Sequence, residues 1–147
     1  MIKVVLSSIF MAGLLAQAQV AIAADNIAQF KKVEGAVFVE RDGKRLTAQI
    51  GGHVQQHDVI VTGGDGSAGL TFSDNSLLSL GSNSTLSLDR FEFNATTHEG
   101  KFDTSLKKGV LSVVSGKIVK QKPDAMTIRT PSAILGARGT EFVIKAE

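Results

Sequence analysis

The residues with the greatest capacity for chemistry are His53 and His57, four apart in the segment Gly51-Gly-His-Val-Gln-Gln-His-Asp58. On a helix that spacing sets two imidazoles on one face, as zinc requires, and Asp58 would supply a third ligand. The segment runs instead into the apolar stretch Val59-Ile-Val61, and along a strand residues four apart are separated by roughly 13 Å. The histidines therefore read as solvated loop residues. Ser105-Leu-Lys-Lys108 has the serine–lysine spacing of acyl-transfer enzymes, but that pair works from a helix start and here falls at a strand end before Gly109. Gly63-Gly-Asp-Gly66 matches one fragment of a calcium-binding repeat; such sites assemble their oxygens from stacked copies, and a single copy reads as a turn. Cysteine is absent, no Gly-x-Ser-x-Gly elbow occurs, and His98 stands apart from the other two histidines. No catalytic residue, metal ligand or cofactor-binding residue is assigned, no cofactor is expected, and the chain reads as a non-enzyme.

Arg138-Gly139-Thr140 is the sharpest local motif. Gly136 and Gly139 let the chain turn tightly before a final strand, Glu141 to Lys145, and Arg138 then caps carbonyls or pairs with a carboxylate. A contact between Arg138 and an anion or a partner is the other reading. The structural one is preferred.

The elements that would position these residues are strands. Val37/Val39, Val59/Val61, Leu70/Phe72, Leu78/Leu80, Leu86/Leu88, Phe91/Phe93 and Phe142/Ile144 each set apolar side chains two apart, on one face of an extended segment. Asp42-Gly43 has the chemistry of a two-residue type I′ hairpin turn. Gly63–Gly66, Asp74-Asn75 and Gly81-Ser-Asn-Ser84 supply residues that tolerate positive φ. A short repeat relates Leu70, Leu78 and Leu86, Asn75 and Asn83, and Ser76 and Ser84, each eight apart. The expected fold is an all-β single domain of short strands, a sandwich of jelly-roll type, with a short β-solenoid as the alternative for the repeat. Phe142 and Ile144 are expected to close its core.

Ahead of this domain, Lys3 precedes an apolar run from Val4 to Leu15, and Ala21-Ile-Ala23 forms a small-x-small site. That is the layout of a secretory signal peptide over residues 1–23, cleaved between Ala23 and Ala24 to leave a domain of residues 24–147. The apolar run is too short for a helix spanning a core of about 30 Å. No cysteine is available for a lipid anchor, so the expected destination is the periplasm, with full secretion as the alternative.

Tryptophan and tyrosine are both absent, which argues against a sugar-binding or nucleic-acid-binding platform, since these rings supply the broad faces such surfaces use. Charge is divided unevenly: residues 24–100 carry a net −4 and residues 101–147 a net +5. Either the halves lie together and neutralise each other, or Lys107, Lys108, Lys117, Lys120 and Lys122 form a basic face. Mutual neutralisation is preferred.

Several of these segments, in order, resemble the FecR-type domain, a family of bacterial envelope modules named for the iron-dicitrate signal regulator. They are Gly35–Val39 with Asp42-Gly43, Asp58–Gly63, Ser67–Ser76, Leu106 with Gly109 and Gly116, and Thr130-Pro131 through Arg138-Gly139-Thr140 to Phe142. His57 stands where the family has Gly, and Asn75 where Gly is frequent. The resemblance implies that Asp58, Gly63, Gly109, Thr130, Pro131, Arg138, Gly139, Thr140 and Phe142 are signature positions of structural character. It also implies a protein-binding or sensory module of the envelope, whose partner would be of the kind offered by the periplasmic signalling domain of an outer-membrane transducer. Family regulators carry a cytoplasmic segment and a transmembrane helix ahead of this domain. Here a signal peptide is read in their place, so the module is implied without the signalling circuit. A secreted structural or adhesin-like module is the rival reading.

Overall fold

The computed structural model describes residues 25–147 apart from Arg138. Residues 1–23, read as a signal peptide, the expected cleavage point between Ala23 and Ala24, and Arg138 lie outside the described residues.

The two-residue period is realised as twelve strands among the described residues: β1 (Asn26–Glu34), β2 (Val37–Arg41), β3 (Lys44–Thr47), β4 (His53–Gln55), β5 (Val59–Thr62), β6 (Ser67–Phe72), β7 (Leu77–Leu80), β8 (Thr85–Phe93), β9 (Gly100–Val114), β10 (Met126–Arg129), β11 (Ile134–Gly136) and β12 (Glu141–Ala146). A five-residue helix α1 (Lys117–Gln121) and a 3₁₀ turn (Pro123–Ala125) connect β9 to β10. That connection is needed because β10 runs parallel to β9, and a parallel neighbour cannot be reached by a hairpin. The other pairings are antiparallel.

The sheet is continuous but curled into two layers, because β9 belongs to both. Its first part pairs with β8 and β10, in the order β3-β2-β5-β8-β9-β10-β11. Its last six residues pair with β7 and β12, in the order β12-β9-β7-β6-β1-β4. Phe72 from the second layer packs against Phe91 and Phe102 from the first, with ring centroids 4.7–5.3 Å apart. This arrangement is the sandwich rather than the solenoid. Leu70 and Leu78 of the eight-residue repeat face each other across the β6–β7 hairpin, whereas Leu86 pairs with Ile60 and Leu106 in the other layer.

What the repeat encodes is turn chemistry. Asn75 and Asn83 both have positive φ, and the serine after each is buried. The Ser76 hydroxyl accepts from Gly116 N–H at 3.1 Å, and the Ser84 hydroxyl from Val110 N–H at 3.0 Å. Two equivalent turns thus supply hydroxyls to two places on or just beyond β9, satisfying amides that strand pairing leaves free. Asp42 and Gly43 both take positive φ, as the β2–β3 hairpin turn requires. Gly63–Gly66 works differently from expectation, since none of its glycines has positive φ. Close approach to Ala36 is what excludes a side chain: a Cβ on Gly66 would overlap the Ala36 carbonyl oxygen.

Candidate interaction surface

Asp58 is an enclosed charge among the signature positions. Only 1% of it is exposed, at the turn into β5. Arg41, at the end of β2, grips it as a fork: Nε donates to Oδ1 at 2.9 Å and the terminal nitrogen to Oδ2 at 2.6 Å. The Gln55 amide adds a third bond to Oδ2 at 2.8 Å. The hydrogen bond to Asp58 holds the Arg41 guanidinium above its ordinary pKa range, outweighing the opposing effect of burial. The carboxylate that would have completed a ligand set with His53 and His57 is thus committed to joining β2, β4 and β5. His53 is exposed on β4, and His57 occupies the turn at φ +73° with its amide donating to Leu88 O. Among the described residues no cluster of three or more metal-ligating side chains forms. Ser105 lies within β9 and donates its hydroxyl to Asp89, which also accepts from Ser87.

Gly109, at φ +101°, marks the bend where β9 changes layers; a Cβ there would overlap Ser84. The proposed basic face divides at this strand. Lys107 and Lys108 sit by the bend, whereas Lys117, Lys120 and Lys122 are on or beside α1, whose Ile118 packs over Gly100 at the far end of β9. Seven or eight extended residues, roughly 25 Å, separate the two groups. Along β8–β9, Arg90 lies opposite Asp103 and Glu92 opposite Lys101 in register, but the Arg90 guanidinium donates to Glu92 on its own strand at 2.9 Å.

The remaining signature residues gather at the C-terminal end. Thr130 and Pro131 form the exposed β10–β11 turn, closed by Thr130 N–H to Ala133 O at 2.8 Å and by Ala133 N–H to the Thr130 hydroxyl at 3.1 Å. β11 follows as an edge strand, paired among the described residues only with β10, and it presents Ile134 (69% exposed) and Leu135 (37%). Gly139, at φ +85°, and Thr140 lead into β12, and both carbonyls are held by Ser115. Ile144 is buried, but Phe142 is only half-buried at the margin of the core, and Val143 points outward. The expectation that Phe142 closes the core is therefore corrected: Ile144 carries that role, because β12 lies at a sheet edge where the layer above no longer covers Phe142 fully.

Sequence reasoning missed Arg41 as the partner of Asp58, and it missed Asp74. Asp74 is fully buried, accepts from Ser76 N–H and the Ser76 hydroxyl, and receives Ile118 N–H from the first turn of α1 at 3.3 Å. The Asp-Asn-Ser turn signal was legible; the helix it serves, forty residues on, was not.

Two β layers thus share one bent strand, and the signature positions run from Asp58 to β12. The family model described as FecR protein matches residues 58–147, and the chain belongs to that family. Comparison with curated proteins and with solved structures gave no match. The family is a regulatory one associated with the cell envelope. The matched stretch begins at Asp58, yet β1 and β2 ahead of it pair with β6 and β5 inside it, so the same domain takes in both. No helix among the described residues is long and apolar enough to cross a membrane.

Proposed function

We propose that the chain is a non-enzymatic FecR-domain module, exported to the periplasm by a signal peptide over residues 1–23, that acts by binding another protein of the envelope. The observation that carries this reading is β11. Two apolar side chains, Ile134 and Leu135, stand exposed on an edge strand inside the family-matched region, directly after the Thr130-Pro131 turn. An unpaired edge offers a row of amides and carbonyls to an incoming strand, and alternate side chains give it selectivity. Arg129 and Arg138 flank the same short stretch in sequence and favour a partner with acidic side chains beside its strand.

The test is photo-crosslinking in the producing cell from a probe at position 134, with a control probe at Lys44 on the opposite edge strand β3. A discrete adduct from position 134 alone, lost when Leu135 is changed to Ser, is the expected result. Equal labelling from both positions would overturn the assignment. Fractionation places the chain: recovery from the medium or cell surface favours the secreted structural reading over the periplasmic one. Intact mass on the exported chain should start at Ala24, and retention of residues 1–23 would sink the export reading.

A further inference from the structure

The second free edge has a different chemistry. β12 pairs with β9 in unbroken register from Glu141↔Val114 to Ala146↔Gly109, and among the described residues it has no partner on its other side. Ser115 N–H donates to Thr140 O at 2.7 Å, which fixes the alternation of the antiparallel ladder. Residues Thr140, Phe142, Ile144 and Ala146 direct their amides and carbonyls at β9. Glu141, Val143 and Lys145 direct theirs at the open edge. The same three carry the exposed side chains of the strand, with Val143 60% exposed.

We infer that β12 is a self-association edge, pairing antiparallel with β12 of a second copy about a two-fold axis at Val143. In that register Val143 faces Val143, Glu141 faces Lys145 in both directions, and Phe142 faces Ile144. The three outward residues of each copy exchange six backbone hydrogen bonds, because each of them falls at a hydrogen-bonding position. On the outer face the two Val143 side chains meet between the half-buried Val110 and Val114, which lie diagonally across on β9. On the other face the half-buried Phe142 gains the Ile144 edge of the second copy.

Two alternative alignments are penalised by the same charges. Parallel, in-register pairing sets Glu141 on Glu141 and Lys145 on Lys145. A two-residue slip of the antiparallel register towards the C-terminus sets Glu141 on Glu147. Charged side chains on an edge strand ordinarily guard it against association; here one alignment turns them into complementary pairs, and in that alignment the open amides also match. Six residues a side make a small interface, so the pairing belongs to the weak, concentration-dependent class. It is independent of the partner contact proposed for β11, which lies on the other layer.

Sedimentation velocity on the purified chain over a range of concentrations tests this. The expected result is a reversible dimer, weakened about tenfold or more by Glu141→Lys or by Lys145→Glu, since each sets like charges opposite at two places. The double exchange, Glu141→Lys with Lys145→Glu, restores it. An equimolar mixture of the two single variants also restores it, as a heterodimer. Val143→Pro removes an outward N–H that the monomer does not use, and it should give a folded monomer with an unchanged far-UV spectrum. A strictly monomeric wild-type chain would overturn the inference. A dimer indifferent to the single changes, or weakened by them without rescue, would overturn it equally.

Discussion

At the scale of single residues, the largest isolated commitment is the Asp58–Arg41 pair. A buried carboxylate is tolerable only when its lone pairs are filled, and here three donors fill them. Asp58→Ala strands the guanidinium and unties β2 from the β4–β5 turn; it should lower stability by about 3 kcal/mol, at the low end for broken buried pairs because Arg41 reaches solvent. Urea unfolding measures this directly. The guanidinium side of the pair is insensitive to ordinary pH. A raised pKa contributes stability that is fully present below the unfolded value and lost only as pH rises through the folded one, and for Arg41 both lie in the far alkaline range. His57 is the opposite case, an ordinary residue in a left-handed conformation that costs roughly 1–2 kcal/mol where glycine has no such penalty. His57→Gly should therefore raise the unfolding free energy measured in urea by about 1 kcal/mol once the entropy of a freer unfolded chain is subtracted. Loss of stability in that variant would mean that the imidazole makes a contact the backbone argument does not capture.

At the scale of elements, β9 and β12 decide most. Gly109 lets one strand serve two layers: it combines a positive φ with a close approach to Ser84, and the Ser84 hydroxyl accepts the next amide. Gly109→Ala incurs both backbone strain and overlap, together about 3 kcal/mol or more. Its melting point should fall far below that of Gly43→Ala, where a Cβ meets nothing and only the φ penalty applies. On β12, Ile144→Ala is expected to cost about 2–5 kcal/mol, as for other buried aliphatic truncations. Phe142→Ala should cost less than the roughly 3–5 kcal/mol of a fully enclosed Phe, because part of its ring already faces water. Denaturant titration of the two variants ranks them, and a reversed ranking would show that the edge of the core lies elsewhere.

At the scale of the whole molecule, the two layers cannot unfold separately. Breaking either layer releases β9, and with it the pairing of β7 and β12 on one side or of β8 and β10 on the other. The Phe72–Phe91–Phe102 cluster couples the layers a second time. Calorimetric and far-UV melting curves should therefore coincide as one transition with equal calorimetric and van't Hoff enthalpies. Two resolved transitions would show that the shared strand does not transmit the loss of one layer to the other. The absence of disulfides is consistent with this design, since cooperativity comes from a strand common to both layers rather than from covalent staples.

Local chemistry alone determined the strand content, the β2–β3 hairpin turn, the Asn turns and the family, because side-chain alternation and positive-φ turns are written within two to four residues of chain. The same locality hid everything that depends on which strand lies beside which. Alternation marks two faces but does not say that Arg41 on β2 will reach Asp58, that five lysines will divide between the bend of β9 and the neighbourhood of α1, or that Ile134 and Leu135 will fall on an uncovered edge. Phe142 and Ile144 share a periodic pattern, and only the position of β12 at the margin of its layer makes one buried and the other half-exposed. Glu141, Val143 and Lys145 likewise become a self-complementary set only once pairing with β9 fixes which amides turn outward. Those outcomes follow from long-range packing, where burial depends on the neighbour across the sheet and not on the neighbour along the chain.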